Sequence, residues 1–307
     1  MAKPSRLDAS LVLGAKSRYD DFVAVHINQT FSIHGTANFL SWHRLFTWVY
    51  EKALRDECGY QGYQPYWNWG KYAFDPVHSP IFDGSATSMG GNGAYVPHNW
   101  TNGLPTGLNC IPPGQGGGCV SSGPFANMTV NMGSIAPTLD APGVVPAGSL
   151  FVHNPRCLRR DVSSWVSSSW TKDSDSWDLI TQNDDVLSFQ NTMQGDFGRG
   201  FYGVHTAGHF TVGGDPGGDF WASPGDPAFY LHHAQIDRTW WLWQKYKSPS
   251  TRTSAIGGII TLGNNPPSRN GTLDDVLDFG ILLPPATIGK VMSTLGMTGG
   301  PLCYIYV

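Results

Sequence analysis

The sequence predicts a mainly α-helical protein: an antiparallel four-helix-bundle core wrapped by long irregular loops with a few short strands. Two observations lead there. Aromatic and aliphatic residues recur at three- and four-residue steps in several segments of helical length, the period of a single buried helix face. Gly (38) and Pro (22) together make up about a fifth of the 307 residues and gather between those segments, so the connections are many and irregular.

The first segment, residues 18–30, has Phe22, Val23, Val25, His26 and Ile27 as apolar positions compatible with a helix, with Asp20 and Asp21 favouring its N-terminus. A stronger helix is expected over residues 37–55, where Phe39, Trp42, Phe46, Val49 and Ala53 repeat. Pro65, in YQPYWNWG, breaks the chain after it. Residues 75–148 read as loop, and a span that long inside a compact fold is expected to wrap a functional centre. Cys110 and Cys119 are expected to clip its Gly-rich bend. Residues 163–195, alternating Ser and Asp with aromatics, predict short helices with N-caps. Residues 200–210 lead into a glycine-rich turn, a strong helix follows over 226–247, and the tail PLCYIYV reads as a short strand.

Length and 40% hydrophobic content suffice for one large core, so a single domain over 1–307 is expected. The net charge of -4, with no Lys/Arg run, argues against nucleic acid and anionic membrane as partners. No apolar run reaches the roughly 18 residues a membrane helix needs. The beginning MAKPSRLDAS carries no hydrophobic signal region. Asn-X-Ser/Thr sites at Asn28, Asn99, Asn127 and Asn270 hint at secretion and glycosylation, with the signal peptide absent from this chain. The five cysteines form no CxxC pair, which argues against zinc ribbons and leaves structural bridges or free thiols. A monomer or dimer is expected.

Six of the ten histidines fall into two groups: His26, His34 and His43, then His205, His209 and His233. On a helix His205 and His209 share a face roughly 5–6 Å apart, a spacing at which two imidazoles can hold one metal. His233 lies on the 226–247 helix among Phe229, Ile236 and Trp240, and His43 has the equivalent place on the earlier one. Helices presenting imidazoles to a shared interior build metal sites in bundle cores, so the four-helix core is expected to hold metal. Three imidazoles per group suit copper, zinc or iron. His78, His98 and His153 fall in loops and are not expected to take a direct role.

With these residues in place the chain resembles the tyrosinase, catechol oxidase and haemocyanin superfamily of dicopper proteins. The copper-A pattern is met at His34, Phe39, Trp42, His43, Arg44 and Glu51, and the copper-B pattern at Asp226, Pro227, Phe229, Tyr230, His233 and Asp237. The ascomycete short polyphenol oxidases resemble it most. The resemblance implies a dinuclear metal site, in which His26, His34 and His43 hold one copper and His205, His209 and His233 the other. It implies oxidation of ortho-diphenols to ortho-quinones by dioxygen, with a small phenol as substrate. Asp237 is the candidate for orienting a ligand from behind, with Arg44 and Arg238 as its ion-pair partners. Adjacent helix positions point about 100° apart, so His232 is expected to line the substrate mouth or pack outside. Phe220 and Trp221 are candidates to overhang the metals.

Three departures from the family pattern bear on function. True tyrosinases tend to carry a water-positioning Glu and an Asn after the first copper-B histidine; here Thr206 stands in the Asn position, the only glutamates are Glu51 and Glu57, and the nearest upstream acid is Asp196. Catechol oxidation with weak or no monophenol hydroxylation is therefore expected, tyrosinase with both activities being the alternative. Ser32 precedes His34 by two, so the cysteine thioether of some fungal relatives is absent. Relatives usually have further chain ahead of this starting point, and the odd cysteine count suits a missing N-terminal segment. A zinc-binding, non-redox member of a fungal secondary-metabolite pathway is the rival reading, separated by metal analysis. An oxygen carrier is disfavoured by the chain's size.

Overall fold

The computed structural model describes residues 1–101 and 110–307. Helix α1 (Arg18–Ile33) is opened by a reciprocal cap: the Ser17 hydroxyl accepts the Asp20 amide while the Asp20 carboxylate accepts the Ser17 amide. It runs past the expected end at residue 30 because Thr30 and Ile33 are still buried. Helix α2 (Phe39–Cys58) begins two residues later than expected and stops at Gly59, whose left-handed backbone (φ 71°) returns its N–H to the Leu54 carbonyl.

Ring contacts show how these helices run. Tyr19 meets Tyr50, Phe22 meets Phe46, and His26 meets Trp42. One number rises as the other falls, so α1 and α2 are antiparallel. The same count holds for α2 against α7 (Ala228–Lys245), where His43 meets His233 and Tyr50 stacks on Tyr230. It holds again for α6 (Gly203–Val212) against α7, where His205 meets His233 and His209 meets Phe229. Four helices thus surround an interior of Phe22, Phe39, Trp42, Phe46, Phe229, Tyr230 and Trp240, all buried. Each such side chain contributes about 1.5–3 kcal/mol of transfer free energy, which keeps the bundle closed around the polar groups it contains.

Three short helices complete the wall: α3 (Ser164–Trp170), α4 (Asp173–Gln182) and α5 (Val186–Gln194). Ser163 and Asp185 cap α3 and α5 with side-chain oxygens, as the sequence predicts. Helix α7 starts at Ala228 rather than 226, since the Asp226 carboxylate is used outside it, accepting the Ala228 amide and pairing with the buried Arg160 at 2.7 Å.

The loop over 75–148 is stiffened by small antiparallel pairs. Strand β1 (Gly93–Tyr95) pairs with β2 (Gly117–Val120), and β3 (Thr129–Val130) with β4 (Arg156–Cys157). A third pair joins β5 (Val276–Leu277) to β6 (Ala286–Thr287). Two expectations are corrected. Cys119 is bonded to Cys157, not Cys110, so the disulfide ties β2 to β4 across 38 positions instead of clipping a local bend. The tail forms no strand; its tyrosines turn inward to a carboxylate described below. Among the described residues no helix is long and apolar enough to cross a membrane.

Candidate metal centre

Helix α1 supplies His26 and, at its C-cap, His34; α2 supplies His43; α6 supplies His205 and His209; α7 supplies His232 and His233. In each of two groups, His26–His34–His43 and His205–His209–His232–His233, one nitrogen per ring lies within 4.8 Å of the others. The groups adjoin: the His43 and His233 rings stack at 4.5 Å and 16°.

Hydrogen bonds fix the tautomers. The Nδ1–H of His26 donates to the Trp221 carbonyl (2.7 Å), that of His34 to Thr30 (2.9 Å) and that of His43 to Phe39 (2.8 Å). A carbonyl can only accept, so each ring carries its proton on Nδ1 and presents a bare Nε2 lone pair. His209 also has the Gly217 backbone as a hydrogen-bond partner. The Nε2 atoms of His26 and His43 are buried without a partner, as are both ring nitrogens of His205. His209 Nε2 and His233 Nε2 stand 3.2 Å apart, and neither has a carbonyl to satisfy it. Buried acceptors left unpaired cost about 1–3 kcal/mol each. A cation among them removes that cost, and carbonyl-anchored imidazoles are the usual supporting arrangement of metal ligands.

Burial holds these rings neutral. Desolvation lowers His26, His43, His205, His209 and His233 well below their ordinary value, takes His34 to about 4 and takes His232 to about 3. Neutral imidazole is the metal-binding form, so no proton has to be displaced near pH 7.

His232 differs from its expected place at the mouth or outside. It is 1% exposed, and its Nε2–H donates to the His205 carbonyl at 3.0 Å. A ring at this position can reach the second group because it lies against α6, in a space that exists only where residue 208 lacks a side chain: a Cβ on Gly208 would overlap the His232 ring. Changing Gly208 to Ala should therefore destabilise the protein by about 1–3 kcal/mol through overpacking, although alanine is the better helix former by about 1 kcal/mol. A raised thermal midpoint in G208A would show that the ring is not wedged there.

Asp237 is not on an imidazole. One carboxylate oxygen receives Arg44 Nε at 2.5 Å, and the other receives the Tyr304 and Tyr306 hydroxyls at 2.5 and 2.6 Å. Arg44 also stacks on Trp240 (3.7 Å) and donates to Gln244 and the Met292 carbonyl. The expected Arg44 partnership holds. Arg238 instead lies over Tyr66 at 4.8 Å. This buried cluster pins α2 to α7 and holds the tail behind the histidines.

In front of them opens a cavity of about 910 Å³, lined by His34, His205, His209, Phe197, Phe210, Phe220, Trp221 and Leu262 among others. Phe220 stands over the first group, its ring 4.8 Å from that of His34. Trp221 contributes more through its carbonyl, on His26, than through its ring. The Thr206 hydroxyl donates to the Gln194 carbonyl at 2.7 Å. Asp219 also lines the cavity, but its carboxylate accepts the amides of Ile135, Ala136, Trp221 and Ala222, and burial raises its pKa. Asp196 pairs with Arg199 on the surface. Of the loop histidines, His78 and His153 are exposed and His98 is buried on Asp161. Sequence reasoning did not single out Gly208, Gln194, Asp219 or the tail tyrosines, since each acts through a contact between segments distant in the chain.

The common central domain of tyrosinase matches residues 16–246. Tyrosinase P of Aspergillus terreus is 40% identical over 312 residues, covering 99% of this chain and 84% of that protein. Oxidase hkm6 of Aspergillus hancockii is 42% identical over 283 residues, covering 90% and 96%. A mutant polyphenol oxidase from Thermothelomyces thermophila superposes with a TM-score of 0.92 at 46% identity, covering 99% of this chain and 82% of that one.

Proposed function

Since the chain belongs to the tyrosinase family, we propose that it oxidises ortho-diphenols to ortho-quinones with dioxygen, hydroxylating monophenols weakly or not at all. The observation that carries this reading is the pair of adjoining imidazole triplets with their lone pairs turned inward. His26, His34 and His43 would hold one copper, and His205, His209 and His233 the other. Bound copper supplies the redox step: two catechols give up four electrons and four protons, and one dioxygen becomes two waters.

The chain's own residues do the rest. Carbonyls of Phe39, Thr30 and Trp221 hold the first three rings, the Gly217 backbone holds His209, and the aromatic walls of the cavity keep bulk water off the reacting oxygens. Phe220, over His34, directs a phenol ring toward the His205–His209 side.

The preference for catechols is supported by what the cavity offers a monophenol. Among the described lining residues the one carboxylate, Asp219, is already engaged by four amides, and Thr206 spends its proton on Gln194. A positioned general base contributes roughly 10²–10⁴-fold, so kcat/KM for 4-methylcatechol should exceed that for 4-methylphenol by at least about 100-fold. Comparable rates, with no lag on the monophenol, would contradict this preference.

The disulfide and the exposed Asn28, Asn99 and Asn270 support an exported, glycosylated protein. The reach of Tyr304 and Tyr306 to Asp237 supports one domain over 1–307.

A further inference from the structure

The two triplets lie on different helix pairs, and something must fix the gap between them. The ligand His34 is not inside a helix: it caps α1 with extended backbone (φ -124°, ψ 140°) and is followed by Gly35 in the left-handed region (φ 61°). Its position therefore depends on what holds the turn after it. Ala37 N–H is bound to the Ile259 carbonyl. Gly35 N–H, directly after the ligand, donates to the side-chain Oε1 of Gln194 at 2.8 Å.

Gln194 is the last residue of α5, and its backbone carbonyl accepts the hydroxyl of Thr206, the residue directly after His205, at 2.7 Å. Its Nε2 donates to the Gln190 carbonyl one turn back, which leaves Oε1 aimed at Gly35. One residue is thus bonded to the position following a ligand of each triplet. The His34 and His205 rings stand 6.1 Å apart, and Gln194, Gly35 and Thr206 all border the cavity beside them.

We propose that Gln194 is a positioning residue that sets the separation of the two metal sites, its amide oxygen fixing the His34 turn and its carbonyl fixing the His205 turn. Its amide oxygen and its carbonyl are both taken by donors of the chain itself. The proposal rests on the dicopper reading for its spectroscopic consequence, though not for the brace itself. Metal sites are sensitive to displacements of a fraction of an ångström in their supporting shell, so a brace shared by both sites should show in how the two ions interact, beyond any effect on turnover.

The test uses Q194M, which deletes the acceptor at similar size, and Q194E, which keeps an oxygen for Gly35 N–H. T206V removes the other arm and T206S restores it. Hydrogen exchange on the purified protein, whatever metal it carries, should quicken about fivefold in the peptide containing Gly35 in Q194M, the factor expected for one lost hydrogen bond, with Q194E close to wild type. In the copper-loaded, oxidised protein, Q194M and T206V should keep their copper, yet a several-fold larger share of it should become visible by electron paramagnetic resonance as coupling weakens. Q194E and T206S should reverse that gain. Unchanged exchange at Gly35 in Q194M, or equal spectra for Q194M and Q194E, would overturn the brace. A wild-type protein without a coupled copper pair would instead count against the dicopper reading, and the exchange result would still decide the brace.

Discussion

Replacing His233 with alanine should leave a folded protein that has lost one metal and its catechol oxidation. The ring is buried between the His43 ring (4.5 Å) and Phe229 (4.1 Å), its Nε2 faces that of His209, and its Nδ1 has no partner. Removing it therefore breaks no protein hydrogen bond that the fold relies on, and takes away one of three donors in the second triplet. Loss of an outer partner to a metal ligand costs roughly 10–100-fold in affinity or activity, and loss of the ligand should cost more. Metal content, turnover of 4-methylcatechol and thermal unfolding measured together check this. A variant that keeps both metals and normal turnover would show that His233 is not a ligand, with His232 the neighbouring ring to examine next.

The second large effect is on stability in acid. Six imidazoles are buried and a seventh, His209, is half-buried, all with pKa values pushed down by desolvation. In the unfolded chain each takes up a proton near pH 6.5, whereas in the folded protein it does not. The unfolded state therefore binds more protons below about pH 6.5, and stability falls with pH by about 1.4 kcal/mol per pH unit for each such ring. For His34, held at about 4, the loss by pH 4 is about 3 kcal/mol. The contributions are fully present above pH 6.5 and disappear as pH drops toward the folded values. Bound metal acts in the same direction, because a coordinated nitrogen cannot accept a proton. The thermal midpoint of metal-stripped protein between pH 7.5 and 5 measures it, and a midpoint that holds steady or rises on acidification would contradict neutral, buried rings.

These effects were partly legible in the chain itself. Helical period and aromatic spacing place α1, α2 and α7 to within three residues at each end, because burial of one face governs those segments. His205 and His209 announce a shared face through their spacing of four. What periodicity cannot show is pairing across distance. Cys119 chooses Cys157 because β2 runs beside the residues that follow Cys157, with Cys119 bridged to Arg159 and the Val120 amide on the Leu158 carbonyl, and no local signal distinguishes it from Cys110. The tail YIY alternates like a strand, yet its two hydroxyls serve Asp237, whose charge needs donors once Arg44 has taken one oxygen. His232 looked outward by the 100° rule. That rule fixes directions around one helix; it is silent about α6, where a glycine lets the neighbouring ring lie inside.

The proposed function requires six neutral imidazoles to hold two copper ions close enough for their spins to couple. Copper analysis combined with electron paramagnetic resonance of the oxidised protein tests it most directly. Two copper ions per chain with almost no resonance signal, their spins paired across the short gap, is the predicted result. Zinc in place of copper, a single ion, or two ions giving the full signal of isolated cupric centres would contradict it.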